Sequence, residues 1–433
     1  MSVSSRLEPL FDAIGQRDIY IILATVAGIY LVFSVILLGR TPSSAIGALE
    51  TVTFFMLVYA ITALALNLHW GYAGLFNIGV AGFMAVGVYT MTMLTRAPDA
   101  DPAGFGLPLW VGVIVGMAAS AVVGLLAALP ALRLKADYLA IVTLGLSEII
   151  RYVTLSSAVD DWLQSNTARF VTGETGVGTN GGSGLSIEVA PSVLVDYLYY
   201  TGGDSSAGTT FLGDIVFGFG DTVGLRDPLL VDITYLGVLV VALALFYALL
   251  FRIGNSPFGR VLKAIREDEL VAKSLGKDTN LFKVKVFMVG CALMGLAGML
   301  WHGSQSFVSP TSFRPVLTFY VFIAVIIGGS GSNTGSVVGG FLFASLLFEA
   351  PRRIGGTISN ANLVQSTPNS FAEAVAGPLE FLAYTADNIG AIQFIILGVV
   401  LVAIIRYRPD GVLGHRTESA AAVDLSNRGE NDE

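Results

Sequence analysis

The sequence predicts an all-α protein, a polytopic membrane helix bundle with about ten transmembrane helices. Hydrophobic residues make up 54% of the 433 residues, charged residues make up 13%, and the mean hydropathy is +0.72. Soluble domains carry roughly 25% charged residues, so a water-soluble globular fold is excluded. The apolar residues also gather into long segments, and about 20 apolar residues are enough to cross a bilayer as a helix.

Ten apolar segments lie between residues 19 and 407, a range that we interpret as one transmembrane domain. The eighth and ninth segments are short and are joined by Gly, Ser and Asn residues, so they are also compatible with one re-entrant pair. The number of spans is therefore eight to ten. In chain order the segments are 19–38, 48–69, 75–94, 108–132, 138–156, 231–251, 284–305, 316–328, 335–350 and 391–406.

The two ends of the chain are interpreted as segments outside the membrane. Residues 1–18 lack the hydrophobic stretch and the small-residue cleavage site of a signal peptide. They are compatible with a short helix in the membrane interface or with a polar tail, and four apolar residues recur there at helical spacing, namely Leu7, Leu10, Phe11 and Ile14. Residues 408–433 form an acidic tail after the last segment.

The distribution of cations predicts the orientation. With ten spans and a cytoplasmic N-terminus, 16 of the 24 Lys and Arg residues lie on the cytoplasmic side, seven lie outside, and Arg151 lies within a span. Cytoplasmic loops of membrane proteins carry an excess of Lys and Arg. Both termini are therefore predicted to be cytoplasmic, with the segment 159–229 as a long external insertion. The external pair Arg352–Arg353 is the one discordant feature.

The loop 252–283 contains most of the cations in the middle of the chain and has the pattern of an amphipathic helix. Ser256 suits the cap position, Pro257 the first helical position and Gly276 the end, which predicts a helix over 256–275. An apolar stripe is formed by Phe258, Val261, Leu262 and Ile265. Such a loop is either a charged tether that obeys the orientation rule or a docking helix for a cytoplasmic partner. The apolar stripe favours docking, because a tether does not need one.

Residues 256–276, SPFGRVLKAIREDELVAKSLG, resemble the cytoplasmic loop of the LivM-type permease family. These permeases are the membrane subunits of branched-chain amino-acid ABC importers. The stretches 67–90, 132–151 and 408–414 resemble the same family in the expected order, whereas the region 160–228 resembles it little. The resemblance implies an ABC importer permease that works by alternating access and carries no ATPase of its own.

The same resemblance implies a set of partners. They are a second, LivH-like permease, two cytoplasmic ABC ATPase subunits, an external substrate-binding protein and an amino-acid substrate. It also marks 252–283 as the coupling loop, in which Phe258 and Leu262 pack against the permease. The residues expected to dock the ATPase are Gly259, Arg260, Ala264, Ile265, Arg266 and Glu267. Permeases for urea, short-chain amides or other amino acids are near alternatives, and a channel or transporter independent of ATP is a further one.

Polar residues at membrane depth are candidates for a translocation pathway, because ionisable or irregular elements there are costly unless they serve a function. Glu148 and Arg151 share a face of the fifth segment at a spacing of three. They form either a neutralised pair that locks helices together or a pair that meets a zwitterionic substrate. Two further candidates are polar breaks, one around Asn67, Gly71 and Asn77 and one around Gly329.

Small residues recur every four positions in the fourth segment, at Gly112, Gly116, Ser120 and Gly124. Small residues on one face allow close helix packing in lipid, so we expect a packing seam there. Gly335 and Gly339 repeat the pattern in the ninth segment.

Several classes of function are excluded by what the sequence lacks. A single cysteine, Cys291, excludes an internal disulfide framework and a Cys-based zinc site. The three histidines are too scattered for a His-rich metal site, and we expect no metal or cofactor. There is no phosphate-binding G-x-x-x-x-G-K-[ST] motif and no recognisable catalytic set, so the chain is not predicted to be an enzyme. A pI near 5.0 argues against nucleic-acid binding. The acidic loops, with Arg preferred over Lys, suggest a halophilic source.

Overall fold

The structure is a computed structural model that describes residues 16–38, 41–131, 136–171, 175–203, 205–360, 368–375 and 377–413. The possible interfacial helix before residue 16, the cations Arg133 and Lys135, and the tail from residue 414 onwards lie outside these residues.

Helices dominate the described part of the chain. The helices of its first half are α1 Gln16–Ile36, α2 Pro42–Asn67, α3 Val80–Thr95, α4 Leu109–Ala131, α5 Ala136–Leu155, α6 Ser157–Thr167, α7 Val193–Tyr199, α8 Phe211–Val223 and α9 Asp227–Asn255. Those of the second half are α10 Pro257–Glu267, α11 Glu269–Ser274, α12 Thr279–His302, α13 Pro315–Gly328, α14 Asn333–Leu342, α15 Ala350–Asn360, α16 Phe371–Ala374, α17 Pro378–Asp387 and α18 Ile389–Tyr407. Two-residue strands β1 (Leu185–Ser186) and β2 (Phe307–Val308) pair antiparallel.

The prediction of an all-α polytopic bundle is confirmed. Eight described helices are long and apolar enough to cross a membrane, and α3 and α13 are shorter apolar helices. Each of the ten predicted segments overlaps one of these ten helices. The protein is therefore a multi-pass membrane protein.

The ninth span is longer than predicted. Helix α14 continues through a π-helical stretch, Phe343–Glu349, into α15, and the 27 residues Asn333–Ser359 are long enough to cross the membrane. This length favours a separate ninth span over the re-entrant pair. Proline lacks an N–H and its ring clashes with the carbonyl four residues earlier in an α-helix. The wider π-helical turn immediately before Pro351 removes that clash, so the helix does not end there.

The discordant Arg352–Arg353 pair lies within this extended helix. Glu349 is almost completely buried, and its carboxylate lies 3.3 Å from Arg353 and 3.9 Å from Arg352. The guanidinium of Arg352 also stacks on Phe348, 4.0 Å from the ring centroid. The positive charge of the two arginines is thus partly neutralised by a carboxylate of the same helix.

Helix α2 is the centre of the bundle. Of its most apolar stretch 72% is buried inside the chain, compared with 11% for α1 and α18. It packs against α9, α12, α13 and α14. On one side the buried Tyr59 meets Trp301 and Phe343 edge to face, with ring centroids 4.8 and 4.9 Å apart. Because most of α2 faces protein, its polar residues can be satisfied without lipid contact.

The predicted seam on α4 joins α3, α4 and α12. A Cβ atom built on Gly116 would lie 2.8 Å from the carbonyl oxygen of Gly87, and one on Gly87 would lie 2.7 Å from the Cα of Gly295. Ser120 donates a hydrogen bond to the Phe83 carbonyl at 3.1 Å. The three helices therefore touch through main-chain atoms, which is the close approach that replaces the hydrophobic effect in lipid.

The second pair of small residues also packs as predicted. A Cβ atom on Gly335 would lie 2.6 Å from the Gly328 carbonyl oxygen, so α13 and α14 approach closely beside the turn that joins them. Gly339 lies against the backbone of Ala324 on the same interface. This hairpin fixes the position of the turn 329–332.

We expect Gly87→Ala to lower the stability of the protein, because the new methyl group would collide with the backbone of Gly295. Overpacking of this kind costs about 1–3 kcal/mol. The matched control is Gly237→Ala in α9, where a Cβ atom meets nothing within 4 Å. It should be neutral or stabilising, because Ala favours a helix by about 1 kcal/mol over Gly. Thermal unfolding in detergent compares the two, and equal effects of both substitutions would contradict the seam.

Candidate functional site

The first polar break follows α2. The helix widens into a π-helical turn, Leu68–Tyr72, and residues 74–79 then run without regular structure to the start of α3. This irregular stretch is largely buried. Backbone groups at such depth must be bonded inside the protein, so the surrounding side chains have to supply partners.

Asn77 and His69 supply part of that bonding. Asn77 accepts a hydrogen bond from the Gly79 N–H at 2.8 Å, which orients its amide so that Nδ2 donates to His69 Nδ1 at 3.0 Å. His69 Nε2 then donates to the Phe287 carbonyl at 3.0 Å, and the imidazole stacks on the Phe287 ring. Both ring nitrogens are used by a neutral tautomer. This network ties the break to α12.

Asn67 joins the first break to the second one. Its Oδ1 accepts from the Gly331 N–H at 2.8 Å, and its Nδ2 donates to Asn333 Oδ1 at 3.2 Å. Tyr72 donates to the same Asn333 oxygen at 3.0 Å. The breaks, which are more than 250 residues apart in the sequence, thus meet in one cluster.

Helix α10 contacts the same cluster. Arg266 donates from Nη1 to the Gly71 carbonyl, and the Lys263 ammonium lies 5.5 Å from the centroid of the Tyr72 ring. The φ of Gly74 is +66°, and a Cβ atom there would lie 3.1 Å from Arg266 Cγ, so this turn requires glycine for both reasons. We call the cluster the junction, and it consists of Asn67, Gly71, Tyr72, Arg266, Gly331 and Asn333.

One face of α10 is packed into the chain. Leu262 and Ile265 are buried, and Phe258 stacks on Phe282 with ring centroids 5.2 Å apart. Gly259 is buried against the end of α9, where a Cβ atom would lie 2.8 Å from Gly254 Cα. Packing of Phe258 and Leu262 against the permease part is as predicted. Gly259 and Ile265, two of the six residues expected to dock a partner, face the same way.

The opposite face of α10 is exposed. Arg260, Ala264 and Glu267 lie on it at spacings of four and three, and Arg266 lies at its edge with a bond to Glu267 at 2.6 Å. Beyond the helix, large apolar side chains of α11 and its end are also exposed. Their exposed fractions are 74% for Leu270, 55% for Val271 and 73% for Leu275. These three residues were not singled out from the sequence.

The predicted helix 256–275 is in fact two helices. Ser256 caps α10 as expected, with Oγ 3.2 Å from the Gly259 nitrogen. Asp268 then adopts an extended conformation, and its Oδ1 accepts from the N–H groups of Leu270 and Val271, so it caps α11. An Asp side chain competes in this way with helix continuation. Gly276, with φ +76°, ends α11.

Glu269 anchors the two-helix loop to α12. It bonds Lys283 at 2.6 Å and Lys273 at 3.1 Å. Burial alone would raise the pKa of Glu269, but the hydrogen bonds from the two lysines outweigh it and hold the pKa at about 2. The stabilisation from these pairs is therefore complete above about pH 4.5, the ordinary value, and is lost only as the pH falls towards 2.

The remaining pathway candidates are not members of the junction. Arg151 and Glu148 form a bidentate pair on one helix, with Nε 2.9 Å from Oε1 and both side chains partly exposed. Gly329 follows α13 with φ +106° and lies against Gly411 of the C-terminal segment. Val412 and Leu413 donate to the carbonyls of Ile327 and Gly328. In the described residues no group of three or more His, Cys, Asp or Glu side chains could hold a metal.

The two predicted breaks include Tyr72 and Asn333, but neither was named as a pathway residue. Both carry polar atoms into the junction, where Tyr72 follows Gly71 and Asn333 follows the turn 329–332. The usable signal was the amide or hydroxyl next to each glycine turn, because such groups are the available partners for irregular backbone.

The sequence model of the family described as the permease component of the branched-chain amino acid transport system matches residues 48–349. The chain belongs to this permease family. The match covers α3 to α14 in full and most of α2, and therefore every residue of the junction.

Relatives of the permease agree with this assignment. The high-affinity branched-chain amino acid transport system permease protein LivM of Escherichia coli (strain K12) is 31% identical over 299 residues, and that of Salmonella typhimurium is 32% identical over 296. Each alignment covers 68% of this chain and 62% of the relative. A probable LivM of Methanocaldococcus jannaschii is 26% identical over 310 residues, covering 65% of this chain and 75% of the relative. No solved structure matches the chain significantly.

Asn67→Leu is expected to destabilise the junction, because the Gly331 N–H and the Asn333 oxygen each lose a partner. A buried polar group left without a partner costs about 1–3 kcal/mol. Tyr72→Phe is the control, since it removes one bond and leaves Asn333 bonded to Asn67. Hydrogen exchange of the turn 329–334 should increase strongly in Asn67→Leu and little in Tyr72→Phe. Unchanged exchange in Asn67→Leu would show that the amide does not hold the turn.

Proposed function

We propose that this permease is the translocation subunit of an ATP-driven ABC importer for branched-chain amino acids. The observation that carries the proposal is the position of α10. One face of this helix is fixed to the junction of two broken membrane helices, and the other face is free to meet a partner. Family membership supports the class of transporter, and the names of the LivM relatives support the substrate.

The orientation that fits this function places both termini, α10 and α11 in the cytoplasm. It agrees with the excess of Lys and Arg on that side of the chain. It also places the segment 159–229 outside, where an external substrate-binding protein would deliver the amino acid.

The partner proposed for α10 is a cytoplasmic ATPase subunit. Its contact surface would consist of Arg260, Ala264 and Glu267 together with the exposed apolar residues of α11. A contiguous patch of large apolar side chains that is exposed outside the lipid usually marks a contact with another protein. Gly259 and Ile265 act indirectly in this scheme, because they seat α10 on α9 and on the bundle. Two ATPase subunits would bind, one to this permease and one to the LivH-like permease.

A displacement of α10 would be transmitted to the translocation pathway through Arg266. Its guanidinium holds the Gly71 carbonyl, and Gly71 lies in the π-helical turn that ends α2. The junction extends that connection to Gly331 and Asn333 at the start of α14. A displacement of α10 on ATP binding would therefore shift both broken segments together. Alternating access requires such a difference in contacts between the two states.

The pathway itself is proposed to run beside Glu148 and Arg151 and the broken segments around Asn67, Gly71, Asn77 and Gly329. An ion pair that is partly exposed at membrane depth is unfavourable against lipid. This flank of α5 would therefore meet the LivH-like permease, and the pair would face the zwitterionic substrate between the two subunits.

Uptake by reconstituted protein tests the function. The tagged permease is purified from its native membrane with the subunits that accompany it, and the complex is placed in liposomes with ATP on the cytoplasmic side. We expect uptake of radiolabelled leucine that requires ATP and the external binding protein. Uptake of urea or an amide but not of leucine would overturn the assignment of the substrate. Leucine flux without ATP would overturn the assignment to ATP-driven importers.

Substitutions on the exposed face of α10 should separate ATP hydrolysis from uptake. Arg260→Glu combined with Ala264→Asp is expected to reduce leucine uptake by about tenfold or more, because loss of about 1.4 kcal/mol of interface energy already changes an equilibrium tenfold. Arg266→Ala should uncouple in a different way, with the ATPase still bound but its hydrolysis no longer driving uptake. Co-purification of the ATPase distinguishes the two.

The matched control is Arg406→Glu, an exposed charge reversal at the end of α18, outside the proposed contact surface. It should leave uptake and ATPase binding unchanged. Full uptake by the α10 variants, or equal loss in the control, would argue against α10 as the coupling element.

A further inference from the structure

The helix α8, Phe211–Val223, presents an apolar stripe that no other part of the described chain covers. Phe211, Ile215, Phe219 and Val223 recur every four residues, and the exposed fractions of the two phenylalanines are 82% and 64%. Helix α8 has 13 residues and is not among the ten apolar helices that match the predicted spans. It belongs to the part of the chain that resembles the permease family least.

The three sides of α8 have different characters. Gly213, Phe217 and Gly220 are buried against the chain. At 100° per residue the apolar stripe lies on the opposite side, and the two carboxylates of the helix, Asp214 and Asp221, lie between these sides. Such a separation of an apolar face from a charged face is typical of helices that lie in a membrane interface.

The depth of α8 can be read from α9, to which it is attached. Between Asp232 and Arg252, α9 carries no charged side chain, and the 20 steps from one residue to the other rise about 30 Å at 1.5 Å per residue. That length equals the thickness of the hydrocarbon core, so the boundary of the core lies near Asp232. Gly220 of α8 packs on Leu230, where a Cβ atom would lie 2.5 Å from the leucine Cδ1. Helix α8 therefore lies at the level of the boundary.

A second contact gives the same depth. Tyr199, at the end of α7, hydrogen-bonds Thr234 of α9 at 2.7 Å. Phe217 of α8 packs on Tyr199 and Tyr200 with ring centroids 5.4 and 5.5 Å away. Leu230 and Thr234 lie two residues before and two residues after Asp232 in α9. Both contacts therefore place α7 and α8 at the level of Asp232.

The side of α9 that α8 covers is the side that faces lipid deeper in the membrane. Leu230 and Val241 are eleven residues apart, which is three helical turns, so they lie on the same line of α9. Val241 is 60% exposed, and Leu245, one turn further, is 64% exposed. The apolar stripe of α8 therefore continues the lipid-facing surface of α9 at the level where the hydrocarbon ends.

We propose that α8 is a membrane-interface helix whose apolar stripe is inserted into the lipid, at the end of the bundle opposite to α10. Its occupant is the bilayer rather than a protein. The exposed side chains of α7, Leu194, Tyr197 and Leu198, extend the same surface. Aromatic side chains are favoured at this level, where an apolar ring meets the headgroup region.

Site-directed spin labelling of the full chain in liposomes, without any partner, tests the proposal. Ile215→Cys and Phe219→Cys place nitroxides on the apolar stripe, and Asp214→Cys and Asp221→Cys are the matched controls on the acidic side of the same helix. The native Cys291 is fully buried and stays unlabelled. Collision rates with oxygen, which partitions into lipid, are compared with those of a water-soluble nickel chelate.

We expect the ratio of oxygen to nickel collisions to be several-fold higher at the two stripe positions than at the two acidic positions. A lipid that carries a diazirine on its acyl chain should also modify residues 211–223 of the unsubstituted protein. Equal access of the nickel chelate to all four positions, together with no lipid adducts, would overturn the proposal. The stripe would then face water and fit an external protein partner instead.

Discussion

The constraint on which the structure depends is that a membrane-embedded chain must bond its own backbone polar groups wherever a helix is broken. Two such breaks occur in the described part of the bundle, and neither is bonded by its own neighbours alone. The amide oxygens of Asn67 and Asn77 accept hydrogen bonds from the N–H groups of Gly331 and Gly79. Asn67 thereby joins the two breaks, and Asn77 ties the first break to α12 through His69.

This bonding explains why α10 is informative about function. A helix outside the membrane could be attached to the bundle by apolar contacts alone, as Leu262 and Ile265 show. Arg266 adds a directed bond to the backbone of one break, and Lys263 lies over the ring of Tyr72. The position of α10 is thus linked to the geometry of the breaks, and a subunit that displaces the helix acts on both.

The sequence allowed the span pattern and the seams to be predicted, because hydropathy and the spacing of small residues act locally. It did not reveal that Asp268 divides the coupling loop into two helices, because the cap forms only when its carboxylate turns back on Leu270 and Val271. Nor did it show that Ile265 faces inward, since an apolar stripe looks the same whether it meets the parent chain or a partner. The meeting of Asn67 with Asn333 depends on tertiary packing between distant segments. The halophilic source stays a prediction.

The seam between α3, α4 and α12 has a consequence for how this permease can vary. Where two side chains meet, a larger residue on one helix can be balanced by a smaller one on the other. Gly87 and Gly295 meet through main-chain atoms, so the opposite helix has no side chain that could be replaced by a smaller one. Compensating pairs of side-chain changes are therefore closed to these two positions.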